Sequence, residues 1–148
     1  MRSSDVNGLY QLHLPDSGLK PFYVYCLKDP NNNGTAWTVL MRRENRSSSY
    51  TSQYNSQQVD FDRNWDTYKQ GFGNVEYEHW LGLERIHALT TTSARPQELW
   101  VHMKDSNLKT ENVYYSSFVI GNEKTNYTLS ILGEFRGTSG INDSLRYH

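Results

Sequence analysis

Cysteine is almost missing from this chain of 148 residues: Cys26 stands alone. A single thiol excludes an internal disulfide and any zinc site built on two or more thiolates. It leaves the redox compartment open, because a partner thiol can lie outside the chain. Net charge is missing too. Fifteen Lys and Arg face sixteen Asp and Glu, for a formal charge of −1, which argues against a basic nucleic-acid binder and a polyacidic tail. Apolar residues make up 36% and the mean hydropathy is −0.80. No apolar run approaches the roughly 18 residues that a membrane-spanning helix needs. No apolar stretch follows Arg2 either, so Met1 to Tyr10 does not read as a signal peptide. What is abundant is aromatic: four Trp, eleven Tyr and five Phe. Disordered chains are poor in rings, so this chain is expected to fold, with aromatics supplying much of its core.

Along the chain, three short strands are expected first. They are Gly8 to Leu14, bounded by Pro15-Asp-Ser-Gly18, then Pro21 to Leu27, then Ala36 to Met41. Asp29-Pro-Asn-Asn-Asn-Gly34 between the last two is dense turn chemistry. Glu44 to Gln58 is polar, Ser-rich and without period, and reads as an exposed loop. Asn64 is placed to cap a two-turn helix that Gly71 would stop, with Trp65, Tyr68 and Phe72 on one side. A second helix is expected over Gly82 to Thr90, where Leu83, Ile86 and Leu89 recur every three residues. Strands are expected over Glu98 to Lys104, Asn112 to Ile120 and Asn126 to Leu132, the last alternating Tyr127, Leu129 and Ile131. The fold class read from this pattern is α+β with antiparallel sheet.

No catalytic constellation stands out. Asp60, Asp62, Asn64 and Asp66 alternate like a calcium loop, but Trp65 and Gly71 occupy the positions where an EF-hand needs Gly and Glu. The alternative is that Val59 and Phe61 point inward from a strand while the acids face water. Gly71-Phe-Gly73 lacks the third glycine of a dinucleotide fingerprint, since Glu76 stands in its place. Gly137-Thr-Ser-Gly140 does not centre its serine as a nucleophile elbow does. His13, His79, His87, His102 and His148 never meet a second His or Cys at ligand spacing. His79, between Glu78 and Trp80, is expected to be structural. Cys26 sits in an apolar strand with nothing local to activate it, and is expected to be a buried free thiol. Four N-glycosylation patterns, at Asn33, Asn45, Asn126 and Asn142, point toward a secreted protein. In a sequence this rich in Asn, Ser and Thr, such patterns also arise by chance.

The ordered set of aromatic and glycine positions resembles the fibrinogen-related domain, the globular C-terminal domain of fibrinogen, ficolins, tachylectins and angiopoietin-like proteins. The carriers are Gly8-Leu-Tyr10, Pro21-Phe-Tyr-Val-Tyr-Cys26, Gly34 with Trp37-Thr-Val39, and Arg42-Arg43. The most characteristic stretch is Val59-Asp-Phe61, Arg63, Trp65, Tyr68-Lys-Gln-Gly-Phe-Gly-Asn74, Glu78, Trp80-Leu-Gly82, Ile86-His87 and Leu89-Thr90. Leu99-Trp-Val101, Asp105, Tyr115-Ser-Ser-Phe118, Tyr127-Thr-Leu129, Gly137-Thr-Ser-Gly140 and Asp143-Ser-Leu145 continue the match in order. Trp37, Trp65, Trp80 and Trp100 are rings of the kind that anchor a small mixed core.

The resemblance implies a small antiparallel N-terminal sheet in residues 1–43. A mixed central subdomain with a mainly antiparallel sheet and short helices would follow in residues 44–133, and residues 134–148 would begin a third subdomain. It implies that Cys26 is half of a disulfide whose partner would fall just ahead of Met1. The family's calcium loop and ligand pocket are expected beyond Leu145, so no cofactor is expected here and no ligand-binding residue is assigned. The expected function is non-enzymatic: an extracellular, secreted recognition or adhesion module, lectin-like and serving innate defence. Its partners in a full-length form would be carbohydrate or cell-surface and extracellular proteins, with a homo-oligomer left open. The alternative is a structural or interaction fragment, or short isoform, without ligand binding of its own.

Overall fold

The computed structural model describes residues 7–29, 35–44, 58–138 and 140–146. Most of the expected Asn-rich turn and of the Ser-rich loop lies outside the described residues. The chain forms two compact units, Met1–Ile86 and His87–His148.

In the first unit, β1 (Gly8–Leu12), β2 (Phe22–Lys28) and β3 (Ala36–Thr38) form an antiparallel sheet in that order. Period-two alternation sets its faces: Phe22 and Val24 are buried while Tyr23 is exposed. The strand expected to run on to Met41 is broken instead. Val39 N–H still bonds the Tyr25 carbonyl, but Leu40 turns its carbonyl to Leu81 N–H at 2.8 Å. The backbone then continues as β4 (Met41–Arg42), paired with β6 (His79–Trp80), on whose other side lies β5 (Phe72–Gly73). One apolar run therefore serves two sheets, a division that depends on partners far along the chain.

No strand forms at Val59 and Phe61. The Asp60 carboxyl accepts from Asp62 N–H at 2.9 Å, and Arg63 N–H bonds the Phe61 carbonyl at 3.1 Å. The short acid captures the backbone in a local turn, which competes with extended pairing. Asp60, Asp62 and Asp66 are all exposed. Helix α1 (Trp65–Gln70) starts where expected: Asn64 Oδ1 accepts from Thr67 N–H at 3.0 Å. It stops at Gly71, whose φ of 92° belongs to glycine and whose missing Cβ would lie against the Leu81 carbonyl.

Tyr68 and Phe72 meet edge to face with ring centroids 5.1 Å apart, Phe61 meets Phe72 at 5.2 Å, and Trp80 lies 5.6 Å from Tyr68. Trp65 is 48% exposed. No tryptophan is fully buried; Trp37, Trp80 and Trp100 are half-buried. The buried apolar residues of this unit are Leu12, Phe22, Val24, Leu81 and Ile86, each contributing about 1.5–3 kcal/mol by leaving water. The large rings line the margins because indole and phenol carry polar groups that need partners. Trp80 Nε1 donates to the Tyr68 carbonyl and Tyr68 Oη to the Phe61 carbonyl, both at 2.8 Å.

Helix α2 (Leu83–Thr91) leads from the first unit into the second. Of its expected stripe, Ile86 is buried, while Leu83 and Leu89 are half-buried. In the second unit β7 (Leu99–Lys104), β8 (Thr110–Tyr115) and β11 (Phe135–Gly137) form an antiparallel sheet ordered β11-β8-β7, and β9 (Phe118–Ile120) pairs with β10 (Leu129–Leu132). The single strand expected over Asn112 to Ile120 thus divides into β8 and β9. Ser116 N–H bonds the Glu134 carbonyl, and Gly133 N–H bonds the Ser117 carbonyl. The strand expected from Asn126 starts only at Leu129, because Asn126 and Tyr127 both have left-handed φ, 52° and 51°. Tyr127 consequently leaves the period of Leu129 and Ile131: it is buried, while they are 36% and 50% exposed. Strand β11 has no counterpart among the expected elements. Val113, Tyr115, Ile120, Tyr127 and Ala88 are the buried apolar residues of this unit.

Candidate functional site

Glu78 and His79 are buried at 3% and 1% exposure. Their polar atoms are spent on the backbone. One Glu78 oxygen accepts from Glu44 N–H at 2.8 Å and the other from Val59 N–H at 3.0 Å. One carboxyl thereby holds two described positions that flank residues 45–57. His79 Nδ1 lies 3.1 Å from the Tyr77 carbonyl and Nε2 3.1 Å from the Val39 carbonyl. Among the described residues no cluster of His, Cys, Asp and Glu could hold a metal ion.

The second unit presents a different kind of surface. Val113 and Tyr115 of β8 are buried, so alternation turns Asn112 and Tyr114 to the other face of the β11-β8-β7 sheet. Register aligns Trp100 of β7, Tyr114 of β8 and Arg136 of β11 across three strands. The Trp100 and Tyr114 rings are parallel within 4°, centroids 5.9 Å apart, and the Arg136 guanidinium lies 5.9 Å from the centre of the Tyr114 ring. Beside them Asn112 Oδ1 accepts from Trp100 Nε1 and from His102 Nδ1, each at 2.9 Å. Thr138 Oγ1 accepts from Asn112 N–H at 3.0 Å. Arg136, His102 and Thr138 are exposed. The face offers ring edges for apolar contact, a guanidinium for carboxylate or sulfate, and pre-positioned polar groups. Leu99, Val101 and Met103 alternate along β7, a pattern that does not by itself reveal what the complementary face meets. The signal lay in Trp100 and His102 on the opposite parity, and their partners depend on register.

A clasp closes the same unit. Tyr115, 2% exposed, donates Oη–H to Asp143 Oδ1 at 2.8 Å, and Arg146 Nε donates to Asp143 Oδ2 at 2.8 Å. Desolvation raises the Asp143 carboxyl, but hydrogen bonds from Arg146 and Tyr115 and the Arg146 charge outweigh it and hold it below its ordinary value. Burial, followed by the hydrogen bond to Asp143, pushes the Tyr115 phenol up.

Cys26 is a free thiol midway along β2, between Gly8 of β1 and Thr38 of β3. It is half-buried rather than fully buried, although it shares the face of the buried Phe22 and Val24. Burial raises its thiol, offset in part by a hydrogen bond with Thr38. Of the four glycosylation patterns, Asn33 and Asn45 lie outside the described residues, whereas Asn126 and Asn142 are exposed.

Comparison with known proteins brings these features together. Residues 2–148 match the family described as fibrinogen beta and gamma chains, C-terminal globular domain. The protein is 35% identical to human tenascin-N over 148 residues, covering 99% of itself and 10% of that protein. It is 38% identical to human angiopoietin-related protein 7, covering 97% of itself and 36% of that protein. It thus spans well under half the length of these curated relatives. Among solved structures, the fibrinogen-like globe domain of human ANGPTL2 superposes with a TM-score of 0.73 at 34% identity, over 92% of this chain and 55% of that one.

Proposed function

Because the protein belongs to the family of C-terminal globular domains found in the fibrinogen beta and gamma chains, we propose that it is a non-enzymatic, extracellular recognition and adhesion module. We infer further that the outer face of the β11-β8-β7 sheet is its binding surface. The observation that carries this is the three-strand alignment of Trp100, Tyr114 and Arg136. Aromatic and arginine side chains of this kind dominate the energetics of protein recognition. The partner that fits is a cell-surface or matrix protein or glycan bearing carboxylate or sulfate groups, which the guanidinium would pair. The non-enzymatic reading is supported by Glu78 and His79, whose polar atoms are occupied by main-chain groups.

The test is binding of the labelled protein to cell layers and extracellular matrix, with and without calcium and at rising salt. Saturable binding is expected, with Trp100→Ala combined with Arg136→Ala weakening it about tenfold or more, the loss of one hot-spot contact. Undiminished binding by the double variant would place the surface elsewhere.

A second reading, an interaction fragment without its own ligand, is favoured by β10. Among the described residues β10 pairs only with β9, and it exposes Leu129 and Ile131. Such an edge invites pairing with another chain. Light scattering over a concentration series separates the readings: concentration-dependent association abolished by Ile131→Lys, with no matrix binding, would favour the second.

A further inference from the structure

We propose that Asn126 carries an N-linked glycan, and that among the described residues it is the acceptor in preference to Asn142. The inference rests on the extracellular reading above. Asn126-Tyr-Thr128 is an acceptor pattern by sequence. The structure adds what the pattern cannot show. The three residues form the exit of a 3-10 turn, Glu123–Thr125, at the tip between β9 and β10. Asn126 is exposed in the left-handed conformation, with its N–H bonded to the Glu123 carbonyl at 2.9 Å. Tyr127, also left-handed, is buried, and its N–H bonds the Asn122 carbonyl at 3.0 Å. The middle residue of the pattern therefore anchors the turn while the residues on either side, Asn126 and Thr128, remain exposed. A bulky, hydrated glycan on Asn126 displaces no packed side group.

Asn142 has a poorer setting. Its middle residue is Asp143, whose carboxyl is taken up by Tyr115 and Arg146, and its third residue is Ser144 rather than threonine. An acidic middle residue places a fixed negative charge beside the amide that must meet an anionic donor.

The chemistry is a group transfer without redox change. The Asn126 Nδ2 forms a bond to the anomeric carbon of an oligosaccharide held on a lipid diphosphate. The bond from that carbon to the diphosphate oxygen breaks, the lipid diphosphate leaves with the electron pair, and the amide gives up one proton to a base of the transferase.

The test sends the 148-residue polypeptide through the secretory pathway of cultured animal cells behind an added signal sequence. Delivery then does not depend on where the native protein resides, and failure of the extracellular reading stays separate from failure of this one. Intact mass is read before and after peptide-N-glycosidase, and peptide mapping in heavy-oxygen water locates the Asn converted to Asp. A fall in mass with the label at Asn126 and none at Asn142 is expected, whatever the occupancy of Asn33 and Asn45. Thr128→Ala and Asn126→Gly should each abolish that label, the glycine because it keeps the left-handed backbone without an acceptor amide. Thr128→Ser should retain it. An unlabelled Asn126 in the secreted protein, or a label at Asn142 with none at Asn126, overturns the proposal.

Discussion

Glu78 shows how much one residue decides in this fold. Its two oxygens bind main-chain N–H groups of residues that stand 15 apart in sequence, Glu44 and Val59. Glu78→Ala removes both acceptors, and a loss of about 1–3 kcal/mol is expected, read as a fall in the denaturant midpoint at unchanged slope. Glu78→Gln should recover part of it, because one amide oxygen still accepts. The Tyr115–Asp143–Arg146 clasp titrates instead. The Asp143 carboxyl lies below its unfolded value of about 3.9, so its stabilisation is present above that pH and is lost as pH falls through the depressed folded value. The Tyr115 phenol is raised, so its contribution is present below the unfolded value of about 10 and is lost as pH rises through the folded one. Denaturation midpoints of the native protein and Asp143→Asn should converge in strong acid. Those of the native protein and Tyr115→Phe should converge in strong alkali.

At the scale of elements, α1 depends on both of its ends. Asn64→Ala leaves Thr67 N–H without its cap and should cost about 1 kcal/mol. Gly71 is more demanding, because an added Cβ there meets both a positive φ and the Leu81 backbone. Gly18 has a similar φ, 71°, with nothing within 4 Å of an added Cβ. Gly18→Ala should therefore lose about 1 kcal/mol of backbone strain alone, and Gly71→Ala about 3 kcal/mol or more. Thermal unfolding of the two variants side by side separates strain from collision; equal losses would show that the Leu81 contact yields. Both ends of α1 are legible locally, since a cap and a stop are short-range signals. The absence of a strand at Val59 and Phe61 was not, since alternation alone does not reveal that Asp60 will capture the backbone first.

For the molecule as a whole, Cys26 is the reporter. Its thiol is half-buried and raised, and the thiolate is the reactive form. Labelling at neutral pH should run several-fold slower in the native protein than in denaturant, and Thr38→Val should slow it further by removing the hydrogen bond that favours the thiolate. Native labelling as fast as unfolded labelling would show that β2 opens freely. The amino-acid sequence by itself determined the α+β class, α1 with its cap, α2 and most strand positions, because each of these is written in spacing of a few residues, and its ordered aromatic and glycine positions carried the resemblance to the family. Tertiary structure alone decided that the run from Ala36 to Met41 divides between two sheets, that Phe135–Gly137 becomes a strand, and that no tryptophan is fully buried. It alone aligned Trp100, Tyr114 and Arg136. Each of these outcomes is a choice of partner from a distant part of the sequence, and strand register, which makes that choice, is set by which faces can be buried together.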